Sequence, residues 1–177
     1  MAGTIAPGEY LSIYGTGLGP AGTQVTFDGT PGEVLYQSAN QVNVLVPFEV
    51  AGRAQVQMQL TTAAATSQIL PLRIIPAQPS VFGVSRQGSN LSIFLSGAGV
   101  GQPIQVIFSF ALFVPRGISI QEVTVTPSYA GPVDGAPPNL TRIDVAVPSV
   151  PLSVSDFQFV VTAGSARSPV VPLTIGN

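Results

Sequence analysis

The side chains of this chain that could carry acid or base chemistry are carboxylates. The 177 residues include no His and no Cys, and the six basic residues are all Arg. The usual activators of nucleophiles and the usual nitrogen and sulfur ligands of metals are therefore missing. Two carboxylates about 5 to 9.5 Å apart could hydrolyse a glycosidic bond, and the candidates in the first half of the sequence are Glu9, Asp28, Glu33 and Glu49. Because acidic residues next to glycine commonly mark turns, as Asp28 does, we predict no catalytic residues and no enzymatic activity.

A calcium site is the other chemistry that oxygen ligands could support. Acidic turns at the end of a sandwich domain can supply such ligands, and Asp134 in the loop GPVDGAPPN is the best placed. A single carboxylate is too few, because Ca²⁺ usually takes about two or three together with carbonyl oxygens. We therefore expect no metal site and no cofactor, with Asp134 as the one weak candidate.

Charge is scarce along the whole chain. Only 8% of residues are charged, against about 25% in a typical soluble domain. The Arg residues are scattered and form no basic patch that could neutralise a row of phosphates, so nucleic-acid binding is not expected. No apolar run approaches the roughly 20 residues of a membrane-spanning helix, so membrane insertion is not expected either.

Several sequence motifs occur twice. The segment LSIYGTGLG at 11–19 is similar to LSIFLSGAG at 91–99, and NQVNVLVP at 40–47 is similar to TRIDVAVP at 141–148. A period of roughly ninety residues is far longer than the about 20 to 50 residues of solenoid and propeller repeats, so each copy should be a domain with its own core.

The repeats and the prolines between them predict the domain organisation. We place the first domain at 1–76, a Pro-containing linker at 77–86 and a second, diverged domain at 87–177. The sequence repeat supports this prediction, because two copies of one folding unit need two hydrophobic cores.

The elements of each copy are predicted to be short strands. In VQMQL at 56–60 apolar residues alternate with Gln, as in a half-buried strand, and Gly and Pro interrupt such runs every 8 to 12 residues or so. The fold class is therefore all-β, with two tandem immunoglobulin-like antiparallel β-sandwiches. In the first copy we predict strands at 9–15, 23–28, 33–37, 41–47, 53–62 and 66–75.

The glycine-rich motifs are interpreted as turns. Glycine adopts positive φ at little cost, which allows a tight exit from a strand. A phosphate-binding loop would instead need a helix after the glycines, and the pattern here continues into another strand. The glycines with this structural role are Gly15, Gly17, Gly19, Gly97 and Gly99.

The two copies stop matching at one place. The offset between them is 80 residues in the first motif and 101 in the later ones, so the second copy holds about 21 extra residues, mostly at 100–122. Apolar residues lie on both faces of this insert, which is typical of a covered strand or hairpin, or of an interface for self-association or for the parent protein. The residues of the possible interface are Ile104, Val106, Phe108, Phe110, Leu112 and Phe113.

The first copy resembles a known family. The string IAPGEYLSIYGTGLG at 5–19, the Leu35–Tyr36 pair, QVNVLVP at 41–47 and AQPSVF at 77–82 resemble the IPT/TIG subgroup of immunoglobulin-like domains, as found at the C-termini of large secreted proteins of environmental bacteria. The second copy lacks the opening Pro-Gly and the Leu-Tyr pair. The resemblance implies a non-catalytic, extracellular or cell-surface role within a longer exported bacterial protein that carries the signal peptide, because MAGTIAPGEY at 1–10 has no such signal.

Two functions are compatible with these features. The first is a structural, adhesive or interaction module whose partner is a protein, either the parent chain or a second copy. The alternative is a carbohydrate-binding accessory module of a secreted polysaccharide-acting protein, which is less favoured because the chain has no Trp and four Tyr. Exposure of two of the tyrosines on one face would favour glycan binding. These tyrosines are Tyr10, Tyr14, Tyr36 and Tyr129.

Overall fold

The computed structural model describes residues 3–19, 22–149 and 154–173. The outermost residues of the two predicted domains, 1–2 and 174–177, lie outside this part of the chain. Among the described residues no helix is long and apolar enough to cross a membrane.

The chain forms two compact units. The first consists of Met1–Gln78 with Ser96–Gln102, and the second of Pro79–Leu95 with Pro103–Asn177. Nearly all regular structure in the described residues is β-strand, and almost all strand pairs are antiparallel. The prediction of an all-β, immunoglobulin-like antiparallel fold is confirmed.

The first unit is built from two sheets. Alternation of apolar and polar residues sets one face of each strand inward. One sheet has the order β1-β8-β7-β3-β4 and the other the order β2-β6-β5. The strands are β1 (Thr4–Ile5), β2 (Tyr10–Tyr14), β3 (Gln24–Phe27), β4 (Thr30–Pro31), β5 (Glu33–Gln37), β6 (Gln41–Leu45), β7 (Gln55–Thr61) and β8 (Leu70–Ile74), with a 3₁₀ turn at Phe48–Val50.

The core of the first unit takes residues from both sheets. Phe27 of β3, Val42 and Val44 of β6 and Val56 of β7 are each 1% exposed or less. These side chains come from the predicted alternation, and their Gln and Asn neighbours point outward. A turn joins the predicted strands 53–62 and 66–75, where the Thr62 N–H donates to the carbonyl of Ala65 at 2.8 Å.

The second unit also contains two sheets. One has the order β13-β14-β10-β9 and the other the order β12-β11-β15-β16, with β17 also paired to β15. The strands are β9 (Ser80–Gln87), β10 (Asn90–Ser96), β11 (Ile104–Val114), β12 (Gly117–Val125), β13 (Tyr129–Pro132), β14 (Thr141–Ala146), β15 (Val154–Ala163), β16 (Ala166–Arg167) and β17 (Val171–Pro172).

The two copies keep the same strand register. Leu11 of β2 lies opposite Val44 of β6, and in the second copy Leu91 of β10 lies opposite Val145 of β14. Both pairs connect the first motif of a copy to its second motif. The sequence repeat is therefore a structural repeat down to individual cross-strand pairs.

The extra residues of the second copy form a long hairpin. β11 pairs with β12 through nine residue pairs and with β15 on its other side, so β11 is an internal strand. Phe108 is fully buried, and its ring stacks on Phe157 with centroids 5.6 Å apart. Of the two alternatives for the insert, the structure therefore shows the covered hairpin.

The hairpin corrects the predicted interface. Val106, Phe108 and Phe110 are buried and belong to the core of the second unit, because the even-numbered face of β11 is turned inward. Ile104 and Leu112 are half-buried, and Phe113 is exposed.

Two further predictions differ from the structure. Residues 80–86 of the predicted linker belong to strand β9, because Pro76 and Pro79 both precede the strand and leave its ladder intact. Gly15 does not have a positive φ, whereas Gly17, Gly19, Gly97 and Gly99 do.

The second glycine turn lies in the first unit. Gly97 has φ of 70° and accepts a hydrogen bond from the Gln78 N–H at 2.8 Å. A Cβ at Gly97 would collide with the Gln78 carbonyl oxygen, so this position needs glycine for space as well as for conformation.

Candidate functional site

The outer face of the β2-β6-β5 sheet presents three tyrosines. Tyr10 is 43% exposed, Tyr14 is 73% exposed and Tyr36 is 50% exposed. Ser12, Gln41 and Asn43 lie between them on the same face. We call these six residues the tyrosine face.

Strand register places the tyrosines together. Tyr10 and Tyr14 lie on β2 opposite Leu45 and Gln41, while the intervening Leu11 and Ile13 pack against the core. Strand alternation alone therefore puts both tyrosines outward.

Tyr36 reaches the same face through an irregularity. Val34 lies opposite the buried Val44, but Tyr36 lies opposite Asn43, because the register shifts at Leu35. A β-bulge of this kind turns the next side chain to the other face. The bulge is what adds the third aromatic ring.

Hydrogen bonds connect the polar residues of the tyrosine face. Gln41 Nε2 donates to Asn43 Oδ1 at 2.8 Å, and Asn43 Nδ2 donates to the Tyr10 hydroxyl at 3.1 Å. The β5–β6 turn is fixed by Ser38, whose hydroxyl accepts from the Gln41 N–H at 3.0 Å. The amides and the Tyr10 ring are thus held in place before any ligand arrives.

The spacing of the rings follows from strand geometry. Tyr10 and Tyr14 are four residues apart, or about 13 Å along β2. Tyr36 is two strands away, or about 10 Å to the side, at the level of Ser12. Three exposed rings around a strip of amides can stack on flat apolar surfaces and donate hydrogen bonds between them.

The second unit has an equivalent face with different chemistry. Tyr129 lies opposite Asp144 just as Tyr36 lies opposite Asn43, and Arg142 occupies the position of Gln41. Together with Pro132, Val133 and Asp134 these residues line a cleft of about 380 Å³. The match between the two tyrosines is not visible in the sequence, because the second copy has Ser-Tyr where the first has Leu-Tyr and the offset between the copies changes.

An ion pair fills this second face. Arg142 Nε donates to Asp144 Oδ1 at 2.8 Å and Arg142 Nη2 donates to Oδ2 at 2.6 Å, while the Ser92 hydroxyl also donates to Oδ1 at 2.7 Å. These contacts hold the pKa of Asp144 below its usual value, with the Arg142 hydrogen bonds as the main cause. The guanidinium carbon of Arg142 lies 5.7 Å from the centre of the Tyr129 ring, so this ring already has a cation against it.

The weak calcium candidate lies in the same cleft. Asp134 and Asp144 both line it, but the two carboxylate oxygens of Asp144 accept hydrogen bonds from Arg142. Within the described residues no group of three or more His, Cys, Asp or Glu could hold a metal ion. The guanidinium already occupies the place that a cation would need.

The candidate carboxylates of the first copy have separate surroundings. Glu9 is buried, accepts from the Ala6 N–H at 2.7 Å and from Gln78 Nε2 at 3.2 Å, and has its pKa raised by burial. Asp28 accepts from the Gln57 N–H at 2.8 Å and from Arg53 at 2.9 Å, and the first of these contacts is the main cause of its lowered pKa. Glu33 and Glu49 are exposed. The first two carboxylates therefore stabilise local structure.

The end of the β11–β12 hairpin is a second exposed surface. Near its turn Phe113 is 66% exposed, Val114 42%, Ile118 62% and Ile120 66%. We call these four residues the hairpin tip. Phe113 was among the residues of the predicted interface and the two isoleucines were not, although their alternation with Ser119 in GISIQE is typical of a strand with one apolar face.

Comparison with solved structures gives matches of low similarity. The chain matches the full extracellular region of plexin A4 at 12% identity and a TM-score of 0.39, over 89% of this chain and 14% of the plexin chain. It matches the gamma-CGTase of alkalophilic Bacillus clarkii at 19% identity and a TM-score of 0.37, over 97% of this chain and 23% of the enzyme. It matches the Bacteroides ovatus protein SGBP-B of a mixed-linkage glucan utilization locus, in complex with a heptasaccharide, at 16% identity and a TM-score of 0.37, over 98% of this chain and 44% of that protein.

The sequence itself identifies the first unit. No curated protein matches the chain. The chain spans less than half of the length of each of the three solved proteins above. Residues 1–74 match the model of the IPT/TIG domain family. This part of the chain is therefore an IPT/TIG domain, which has an immunoglobulin-like fold.

Proposed function

We propose that this chain is a non-catalytic interaction module of a larger exported bacterial protein, and that its first unit binds a neutral polysaccharide through the tyrosine face. The observation that supports the polysaccharide is the exposure of Tyr10, Tyr14 and Tyr36 on one sheet face. The sequence alone favoured a structural or adhesive role with a protein partner. The position of three tyrosines on one sheet face favours a glycan ligand instead.

The chemistry of the tyrosine face fits sugar rings. Pyranose rings have flat C–H surfaces that pack on aromatic rings, and their hydroxyls both donate and accept hydrogen bonds. Gln41 and Asn43 offer amide groups of both kinds, and Ser12 adds a hydroxyl. The distance of about 13 Å between Tyr10 and Tyr14 suits an extended chain of several sugar units more than a single sugar.

The charge of the tyrosine face argues for a neutral ligand. Its six residues include no Arg, and the acidic side chain beside it, Glu33, lies opposite Leu45 at the rim of the same sheet face. An acidic polysaccharide would need cationic partners, which are the usual ligands of carboxylates and sulfates.

An accessory role follows from the carboxylates. Glu9 and Asp28 hold backbone N–H groups, and catalysis of glycoside hydrolysis needs two carboxylates that are free to reach one bond. A binding module without its own activity serves a larger protein by keeping it on its substrate or on a surface. Extracellular placement is part of the same proposal, because external polysaccharides are the ligands.

The test is binding to a panel of neutral polysaccharides. Affinity electrophoresis would compare the full chain with Tyr14→Ala/Tyr36→Ala in gels that contain β-glucan, xylan, mannan or starch. We expect retardation by at least one polysaccharide and its loss in the double variant, with circular dichroism unchanged. Equal retardation of both proteins, or no retardation by any member of the panel, would reject the glycan proposal.

A protein partner is the second candidate, and the hairpin tip favours it. Phe113, Ile118 and Ile120 together expose an aliphatic and aromatic surface without amides between them. Such surfaces commonly mark contacts with other proteins. This site lies in the second unit, so the two candidate functions use different residues and are compatible.

A further inference from the structure

Strand β12 has an open edge. Among the described strands β12 pairs with β11 alone and ends its sheet. Natural proteins usually protect such an edge with Pro, Lys, bulges or short strands. β12 has nine residues without Pro or Lys, and its pairing with β11 shows no register shift. The charged residue of the strand is Glu122, and none of the other usual protections is present.

The hairpin turn shows which backbone groups face the open edge. β11 and β12 are joined by a two-residue turn between Val114 and Gly117, which closes on a hydrogen-bonded pair. In an antiparallel ladder hydrogen-bonded pairs alternate with non-bonded ones, so Gly117, Ser119 and Gln121 bond to β11. The N–H and C=O groups of Ile118 and Ile120 therefore point to the open edge.

We propose that a second copy of this chain binds at β12, so that the two β12 strands pair antiparallel about a two-fold axis at Ser119. This inference deepens the protein-binding part of the proposed function and is independent of the glycan part. In this register Ile118 lies opposite Ile120 of the second copy, and Glu122 lies beside the β11–β12 turn that carries Arg116 of the second copy. The two-fold axis repeats each contact, as in most homodimers.

Charge complementarity selects the register. Arg116 and Glu122 have no salt-bridge partner among the described residues. An axis at Ile120 would place Glu122 opposite Ile118, and an axis at Gln121 would place it opposite Ile120, with no charge opposed to it in either case. The axis at Ser119 brings each Glu122 to the turn that carries Arg116 of the other copy, so two opposite-charge contacts form across the dimer.

The same register joins the apolar surfaces. The exposed Phe113 lies opposite Ile118, and the buried Ala111 lies opposite Ile120. Pairing about Ser119 places Ile118 beside Ile120 of the second copy, so each row across the dimer contains four apolar residues: Phe113 and Ile118 of one copy, and Ile120 and Ala111 of the other. Ile118 and Ile120, which are 62% and 66% exposed in the single chain, would become neighbours of their counterparts.

Sedimentation analysis of the full chain from about 1 to 500 μM tests the inference. We expect a species of twice the 18.2 kDa chain mass at the higher concentrations. Arg116→Glu and Glu122→Arg, each alone, should weaken association roughly tenfold or more, because each makes two like-charge pairs. The double variant Arg116→Glu/Glu122→Arg should restore association, since it exchanges the two charges.

A proline tests the backbone part. Ile120→Pro removes an N–H that points to the open edge and is unused within the chain, so the hairpin should persist while association is lost. Ile120→Ala, which keeps the N–H, is the matched control and should weaken association less. Circular dichroism shows whether each variant remains folded.

Two outcomes would overturn the inference. One is a monomeric wild-type chain at all concentrations, and the other is association that responds neither to the charge changes nor to Ile120→Pro. Neither outcome affects glycan binding, which is measured separately by affinity electrophoresis. A monomeric chain that binds a different protein at β12 would also overturn it, while leaving the protein-binding part of the proposed function in place.

Discussion

The β2-β6-β5 face and the β13-β14-β10 face are the same surface in two chemical versions. In both units the strand of the first repeated motif pairs with the strand of the second motif in the same register. Tyr36 lies opposite Asn43 in the first unit, and Tyr129 lies opposite Asp144 in the second. Gln41 donates to Asn43 in the first unit, and Arg142 donates to Asp144 in the second. Both versions expose their rings, since Tyr129 is 42% exposed and Tyr10 43%, but the ionic version also holds a guanidinium against Tyr129.

The difference shows how one backbone can carry a binding surface or lack one. An aromatic ring binds a sugar only when its face is free. Tyr36 is 50% exposed and has no cation against it among the described contacts, while the ring of Tyr129 faces Arg142 and its hydroxyl donates to Pro132 O at 2.8 Å. We infer that the first copy kept the surface for a ligand and the second uses it for stability.

The largest expected effect concerns the core beneath the two faces. Leu11 and Leu91 occupy the same position in the two copies, but Leu91 is fully buried and Leu11 is half-buried. Leu91→Ala should destabilise the second unit by about 2 to 5 kcal/mol, and Leu11→Ala should destabilise the first unit by less. Urea unfolding of the full chain measures both. Equal losses of unfolding free energy in the two variants would contradict the difference in burial between Leu91 and Leu11.

Transfer of the ion pair to the first unit should abolish its ligand binding. In Gln41→Arg/Asn43→Asp the introduced guanidinium is expected to lie against Tyr36, as Arg142 lies against Tyr129. We expect affinity for the polysaccharide to fall about 100-fold, because ring stacking and the amide contacts are lost together. Isothermal titration calorimetry measures the affinity.

The reverse exchange is the control for this transfer. Arg142→Gln/Asp144→Asn changes the second unit alone, so affinity should stay within about twofold of the wild type. Undiminished binding by the first variant would mean that the tyrosine face is not the site.

Single tyrosine changes should have smaller effects that depend on exposure. Tyr14 is the most exposed of the three, so Tyr14→Ala should weaken binding about tenfold. Tyr10→Phe keeps the ring and removes the hydroxyl that accepts from Asn43, so its effect should be smaller. Tyr129→Ala in the second unit is the matched control, and a loss of affinity in that variant would move the site to the other copy.

The smallest expected effect is a pH dependence of the ionic face. The Arg142 and Ser92 contacts lower the pKa of Asp144, so the carboxylate stabilises the fold above its ordinary pKa of 3.8 and loses this contribution as the pH falls through the folded value. Asp144→Asn should therefore be less stable than the wild type at pH 7, and the difference should shrink below about pH 3.8. Thermal unfolding at several pH values measures it, and a constant difference would contradict the assignment.

The sequence predicted the fold better than the site, for physical reasons. Alternation and turn residues are local, so the strands of the first copy and the all-β class followed directly from them. The tyrosine face also depends on the register of β5 against β6, and a β-bulge can change that register. Simple alternation would place Val34 and Tyr36 on one face, but the shift at Leu35 turns Tyr36 outward to join Tyr10.

Backbone pairing also explains the errors in the second copy. The prolines around 76–79 suggested a linker, yet hydrogen bonding continues immediately after them in β9. The inward direction of Phe108 and Phe110 could not be read from an insert that is apolar on both faces, because the faces differ only in what covers them. The pairing of β13 with β14 makes Tyr129 the counterpart of Tyr36. The residues around Tyr129 do not repeat the Leu-Tyr motif of the first copy, so the sequence did not predict this pairing.

The most direct test of the central claim is a titration of the ¹⁵N-labelled chain with a neutral oligosaccharide of the polysaccharide that binds, followed by amide chemical shifts. We expect the largest changes in β2, β5 and β6, at residues 10–14, 33–37 and 41–45, and little change at their counterparts around Tyr129 and Arg142. Changes centred on Tyr129 and Arg142, or spread evenly over both units, would contradict the claim that the exposed tyrosines of the first copy form the binding surface.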